Sequence, residues 1–325
     1  MPASASAEQL RHVVEAAALA PSVHNTQPWQ FTVRPEEGLD MRADFARRLE
    51  VLDPDGRQLH LSCGAALFHA RAAARGIGLE VAVQLLPDPS DPDLLAQLRI
   101  TAGAAPSEQE TTVAAAILRR HTFRGTFDDR PVPAGLIEQL RLDAEGEGAL
   151  LHEVSRRDDL LELEVLLSHA DADEEQDGRY RRELEHWAQR DATALDGLAA
   201  GSLATAPGSS LRQRDFTLTH APATDGSAPI ADHPMVCVLV TQEDDRAAWL
   251  RAGEALAAVL LRAAAAGIQA QPLGQVTDLL AYRLRLGTVL GVRGHPQLVL
   301  RMGYAQHTGA APRRAVEDVL TPVAG

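Results

Sequence analysis

"APSVHNTQPWQF" occupies Ala20–Phe31, between a helix-like segment and a strand-like one. Ser22, His24, Asn25, Thr26 and Gln27 put five polar side chains into six positions before Pro28-Trp29 closes the run. Upstream, Ser6 and Gln9 have capping-box spacing, and Leu10, Val13, Val14 and Ala17 share one helical face. Pro21 disfavours helical geometry in its predecessor, so this helix is expected to stop near Ala20. Downstream, "WQFTVR" reads as a strand and "LDMRAD" as its partner, with "RPEEG" at the hairpin tip. The stretch is either a polar turn or a loop built to hold a ligand.

Further along, "DPDGR" (Asp53–Arg57) is a turn by composition. An alanine-rich helix is expected from about Leu59 to Arg75, stopped by Gly76. Leu79, Val81, Val83 and Leu85 then alternate with Glu80, Ala82 and Gln84 as in a half-buried strand. "PDPSDP" breaks the chain, and a helix is expected from about Pro106 to Arg119. "GAALFHARAAARGIGLEVAVQL" (Gly64–Leu85) has an echo in "GEALAAVLLRAAAAGIQAQPL" (Gly253–Leu273). Both are glycine-started and alanine-rich, with Arg71 or Arg262 shortly before a terminating Gly-Ile, and both lead into an extended segment. "MVCVLVT" (Met235–Thr241) and "PQLVLRMGY" (Pro296–Tyr304) flank the second copy as strands, and the pattern points to a duplication. Residues 158–216 stand apart: a charged helical stretch and then a Gly/Ser/Pro-rich loop long enough for a lid or a binding loop.

Composition excludes several functions. The chain has 325 residues and a net charge of −14, which argues against a nucleic-acid surface and against attraction to anionic membranes. No apolar run has the length of a membrane span, and the N-terminus lacks a basic-then-apolar signal layout, so a cytoplasmic location is expected. Cys63 and Cys237 lie far apart in apolar segments and read as two buried thiols rather than a disulfide. A calcium loop at "DADEEQDG" fails, because Gln176 stands where glycine must turn and Arg182 replaces the final glutamate. Glu183-x-x-His186 has the spacing of a carboxylate-bridged metal pair but no second copy, and a metal-dependent helical protein is the weakest of the readings. There is no G-x-S-x-G elbow and no P-loop, and with every basic side chain an arginine the P-loop's cation does not exist.

Two more polar stretches remain. "LRRHTFRGTFDDRPVP" (Leu118–Pro133) places Arg119, Arg120, His121, Thr122 and Arg124 within six residues. Clustered guanidiniums beside a hydroxyl suit a phosphate through forked, charge-assisted hydrogen bonds; cations offsetting a helix C-terminus would look the same. "APRRAV" carries Arg313 and Arg314, as a second basic element or as an exposed tail.

Together these stretches resemble the nitroreductase superfamily of flavin proteins. Arg120-His121-Thr122-Phe123-Arg124 with "RPVPAGLIEQL" is similar to its R-x-S/T-x-R motif, and "APSVHNTQPWQF" to its A-P-S-x-x-N-x-Q-P-W-x-F motif. Their order is reversed, and no second Pro-Ser-x-x-Asn follows "PVPAGLIEQL". That arrangement resembles the Acg-like branch, in which one chain holds two degenerate repeats. The resemblance implies an α+β fold with mixed sheets covered by helices, the two tandem repeats packing as an intramolecular pseudo-dimer. The repeats would span 1–110 and 111–325, the second carrying the insertion at about 158–216. It implies one FMN per chain at the repeat interface, with Ser22, Val23, His24, Asn25 and Thr26 from one side. Arg120, Thr122, Arg124 and Arg313 or Arg314 would come from the other, and Gly274 would lie near the flavin N5 edge. Gln27 and Trp29 are expected to anchor the loop instead. The resemblance implies either an NAD(P)H-dependent reductase of nitroaromatics or quinones, or a flavin-sequestering protein whose lid covers the ring. A monomer is expected in preference to a homodimer.

Overall fold

The computed structural model describes residues 3–35, 37–188, 193–198, 211, 213, 214, 216, 234–305 and 311–321. The chain opens with α1 (Ala7–Ala18), where Ser6 and Gln9 make the expected reciprocal cap. A 3-10 turn at Val23–Asn25 then leads into β1 (Trp29–Arg34). β2 (Gly38–Ala43) pairs antiparallel with β1 from Trp29↔Ala43 to Arg34↔Gly38, the expected hairpin. Next come α2 (Arg57–Gly76), β3 (Leu79–Leu85), β4 (Leu94–Ala102) and α3 (Glu108–Ala116). β4, for which the sequence reading made no assignment, lies between β2 and β3 in the sheet.

The second half continues through α4 (Ala134–Gly146), β5 (Leu150–Glu153), α5 (Arg157–Gln176) and α6 (Gly178–Ala188). It then adds β6 (Met235–Thr241), α7 (Arg246–Ala265), β7 (Gln269–Leu273) and α8 (Gln275–Asp278). α9 (Leu280–Leu290), β8 (His295–Gly303), α10 (Val316–Val319) and β9 (Leu320–Thr321) complete it. The second sheet has the order β5-β6-β8-β7, and the first has β1-β2-β4-β3 with β9 added beyond β1. Each sheet therefore takes its first four strands in the same sequence-relative order. β9 pairs parallel with β1, so the end of the chain returns to the first sheet.

Burial explains the strand patterns. One apolar cluster packs α1 and α2 on the first sheet through Val13, Leu67, Phe31 and Leu98. A second packs α4 and α7 on one face of the second sheet through Leu140, Val259, Leu239 and Leu300. A third covers the opposite face with α5 and α9, through Leu166, Leu286, Val238 and Val299. β6 is sandwiched on both sides, which is why "MVCVLVT" is continuously apolar rather than alternating. Cys63 and Cys237 are buried free thiols, and burial pushes Cys237 up to about 12. Among the described residues no helix is long and apolar enough to cross a membrane.

α2 and α7 are both 20 residues long and begin at Arg57 and Arg246, so the matched glycines are interior rather than helix starts. Their role is close approach. A Cβ on Gly64 would lie 2.0 Å from the Leu250 carbonyl oxygen, and one on Gly253 would lie 2.1 Å from that of Leu61. The two helix backbones therefore touch reciprocally, with no room for a side chain on either partner. Alanine ordinarily stabilises a helix interior relative to glycine. At Gly64 or Gly253 it is expected to destabilise by about 2–3 kcal/mol through overpacking, read as a fall in the urea midpoint. Gly135→Ala, whose Cβ meets nothing within 4 Å, is expected to be neutral or stabilising.

Candidate functional site

The opening loop is held in an unusual backbone conformation. His24, Asn25 and Gln27 have φ of 44°, 56° and 50°, left-handed values that L side chains seldom adopt. Such strain persists only where surrounding contacts over-determine it, and here they do. The Gln27 amide donates to Ser22 Oγ at 3.0 Å, and the Val23 amide donates to Ser62 Oγ of α2 at 3.1 Å. Asn25 Nδ2 donates to the carbonyls of Gly197 (3.0 Å) and Pro312 (3.1 Å), while Arg313 donates to Asn25 Oδ1 at 3.1 Å. Gln27 Nε2 donates to the Leu195 carbonyl, and Gln27 Oε1 accepts from the Arg314 amide, both at 2.8 Å. Trp29 is fully buried in the first core. The loop is thus clamped to α2, to residues 195–198 and to the C-terminal stretch.

Beside it opens a cleft with two adjoining lobes, which share Pro21, Ser22, Thr122 and Arg124. The first lobe is apolar in its middle, where Leu61 of α2, Leu256 of α7, Pro272 and Leu298 meet. Val23, His24 and Gly274 also line it, with Gln58, Ser62 and Asp278 as polar neighbours. A Cβ on Gly274 would come 2.7 Å from Asp278 Oδ2, so a side chain there would displace that carboxylate. The second lobe is lined by Asn25, Arg120, Arg124 and Arg313.

The arginines of the two lobes differ in kind. At the first, Arg214 makes a forked contact with Glu174 (2.8 and 2.9 Å to Nη2) and reaches Asp278 at 3.0 Å. Arg57 shares Asp278 at 3.1 Å. Burial pushes the Glu174 carboxyl up against the pull of Arg214, whose charge the neighbouring carboxylates hold in place. At the second lobe, no carboxylate among the described residues pairs with Arg120, Arg124 or Arg313. Burial, with repulsion from Arg313, pushes Arg120 down to about 9, and burial alone pushes Arg124 and Arg313 down to about 10. Arg120 Nε and Arg313 Nε are buried without a hydrogen-bond partner. One buried and two partly exposed cations without an anion among the described residues form an arrangement that a bound anion would stabilise.

The structure brings Ser22, Val23, His24, Asn25, Arg120, Thr122, Arg124, Gly274 and Arg313 to the cleft. Thr26 and Arg314, expected there too, line neither lobe. Thr26 is fully buried, its carbonyl accepting from Arg47. Arg314 donates to the carbonyls of Gln27 and Asp318 and serves as a brace for the loop. Glu183 of the rival metal pair accepts from the amides of Val51 and Leu52, both at 2.9 Å, and so anchors α6. Among the described residues no cluster of three or more potential metal ligands occurs.

Sequence reading missed Gln58, Ser62, Leu256, Asp278, Arg214 and Phe216. Gln58 and Ser62, four apart within a helix otherwise buried in apolar surroundings, were the available signal. Arg214 and Phe216 come from the inserted stretch. Phe216 stands edge-on to His24 at 5.6 Å and under the Arg124 guanidinium at 5.0 Å, so a flat ring is already accommodated there. Most of the loop expected to form a lid, residues 199–210, lies outside the described residues.

The nitroreductase family model matches residues 2–77 and 117–304. "Putative NAD(P)H nitroreductase Rv3131" of Mycobacterium tuberculosis is 34% identical over 319 residues, covering 97% of this chain and 91% of that protein. "Putative NAD(P)H nitroreductase acg" of the same organism is 31% identical over 318 residues, covering 95% and 94%. A solved nitroreductase with bound FMN from Desulfitobacterium hafniense is 17% identical, covers 66% of this chain and 98% of that one, and superposes with a TM-score of 0.42. With the family pattern extending across both halves and full-length relatives above 30% identity, this chain belongs to the nitroreductase family.

Proposed function

We propose that the chain binds one FMN in the cleft between its two halves and works as a weak NAD(P)H-dependent reductase. The observation that carries the reading is the trio of guanidiniums without a carboxylate partner among the described residues, at one end of a cleft whose other end is apolar. A phosphate monoester brings two negative charges and several acceptor oxygens, which match Arg120, Arg124 and Arg313. Buried Nε–H groups that lack partners find them in such a ligand. The apolar lobe then suits the isoalloxazine ring, with Leu61, Leu256 and Leu298 excluding water from its faces and Thr122 beside the ribityl chain. Bound there, FMN supplies hydride acceptance from a reduced nicotinamide and electron delivery to a nitroaromatic or quinone.

The matching strand orders of the two sheets, and the matched glycines of α2 and α7, support two repeats joined near residue 110 and packed as an internal pseudo-dimer. One set of motifs then gives one cofactor per chain. An interface already satisfied internally favours a monomer, and two buried free thiols suit the reducing cytoplasm.

A second reading, a flavin-sequestering protein, is favoured by a separate observation. Arg214 and Phe216 of the inserted stretch line the apolar lobe, where they would cover the ring and restrict a nicotinamide.

Two measurements test these readings. The wild-type chain is expected to bind FMN at least about 100-fold more tightly than riboflavin, which lacks the phosphate, and Arg120→Met is expected to shrink that ratio about tenfold or more. Equal affinity for the two flavins would rule out the phosphate site. In stopped-flow reduction by NADPH without oxygen, Phe216→Ala is expected to reduce about tenfold faster than wild type if the inserted stretch restricts access; equal rates favour the freely reducible enzyme.

A further inference from the structure

His24 has two ring nitrogens in unlike surroundings. The side chain is 6% exposed and lines the apolar lobe rather than the lobe of unpaired arginines. Its Nε2 lies 3.2 Å from Nη1 of Arg214. A guanidinium only donates, so Nε2 must accept and the ring proton must sit on Nδ1. That Nδ1 is buried and has no hydrogen-bond partner.

Arg214 is not free to turn away from this contact. Its Nε and Nη2 are taken by Glu174 at 3.2, 2.8 and 2.9 Å, and Nη2 also meets Asp278. Only Nη1 is left to face the histidine. Burial, then the charges of Arg214 and Arg124, hold His24 well below its usual range, so its ring is neutral. The left-handed backbone at His24, fixed by the clamped loop around it, sets where the ring stands.

We propose that the Glu174–Arg214 pair locks His24 as the neutral Nδ1–H tautomer, and that this N–H donates to the acceptor edge of the ring ligand in the apolar lobe. The proposal rests on the flavin reading, in which that edge is a pyrimidine carbonyl or imine nitrogen. A buried donor without a partner is costly, and only an acceptor relieves it. The site therefore selects planar heterocycles with a carbonyl or bare nitrogen along one edge over hydrocarbon rings of the same size. His24 touches the ligand, and Arg214 is a positioning residue acting through it.

Nitrogen-15 NMR of the full chain without added flavin reads the tautomer, with His24→Asn identifying the resonance. The Nδ1–H form is expected at pH 7; the Nε2–H form or an imidazolium overturns the proposal. In fluorescence titrations with FMN, His24→Ala is expected to bind about tenfold more weakly than wild type. His24→Asn is expected within about threefold, because its amide offers an N–H near the Nδ1 position and asparagine tolerates a left-handed backbone. Wild-type affinity in His24→Ala overturns the donor role and leaves the flavin reading standing. A wild-type chain that binds no FMN overturns both.

Discussion

The backbone contact between α2 and α7 at Gly64 and Gly253 is the constraint on which the rest of the molecule depends. Two 20-residue helices cross with no side chain between them, each glycine facing the carbonyl of the residue three positions before its counterpart. Sheets lie to either side, and the helices form the seam that joins them. The crossing also builds the cleft, because Leu61 and Ser62 of one helix and Leu256 of the other flank the glycines. A methyl group inserted at the crossing would push those walls apart, so packing at the seam and the shape of the site are one requirement.

Electrostatics divides the cleft that this crossing creates. At its apolar end, Arg57 and Arg214 are matched by Glu174 and Asp278, so a cluster of buried charges is largely neutralised within the fold. At its other end, Arg120 is equally buried, Arg124 and Arg313 are partly exposed, and none of the three receives a carboxylate among the described residues. A chain with a net charge of −14 has acidic residues in plenty, so the lack of partners there is selective. Folding removes part of the hydration of these guanidiniums without supplying a carboxylate among the described residues. The same division separates arginines matched by carboxylates from arginines that have none among the described residues.

The inserted stretch belongs to this arrangement. α6 packs Tyr180, Leu184 and Trp187 against Leu49 and Leu52, with Val23 of the opening loop at the edge of that cluster. Asn25 and Gln27 bind the carbonyls of Gly197 and Leu195, and Arg47 pairs with Asp196. The strained loop is therefore braced from outside by the insertion, and Arg214 reaches past it to His24.

Much of this was legible in the sequence, for local reasons. Capping at Ser6, the hairpin after Pro28 and the alternation of β3 depend on neighbours within a few residues, and each stands as the pattern implied. β4 was overlooked although Leu98 and Ile100 alternate with Gln97, Arg99 and Thr101, because the preceding proline-rich stretch obscured the period. The two motif stretches identified the family and supplied Ser22, Val23, His24, Asn25, Arg120, Thr122 and Arg124 among the residues lining the cleft. Tertiary structure alone decided how those residues are used. It made Gly64 and Gly253 a crossing rather than helix starts, turned Arg314 and Glu183 into braces, and set Arg214 between Glu174 and His24. These outcomes depend on contacts between groups 40 to 287 positions apart in the chain. A sequence records which donors, acceptors and small residues are present, but only packing in three dimensions decides which of them become partners.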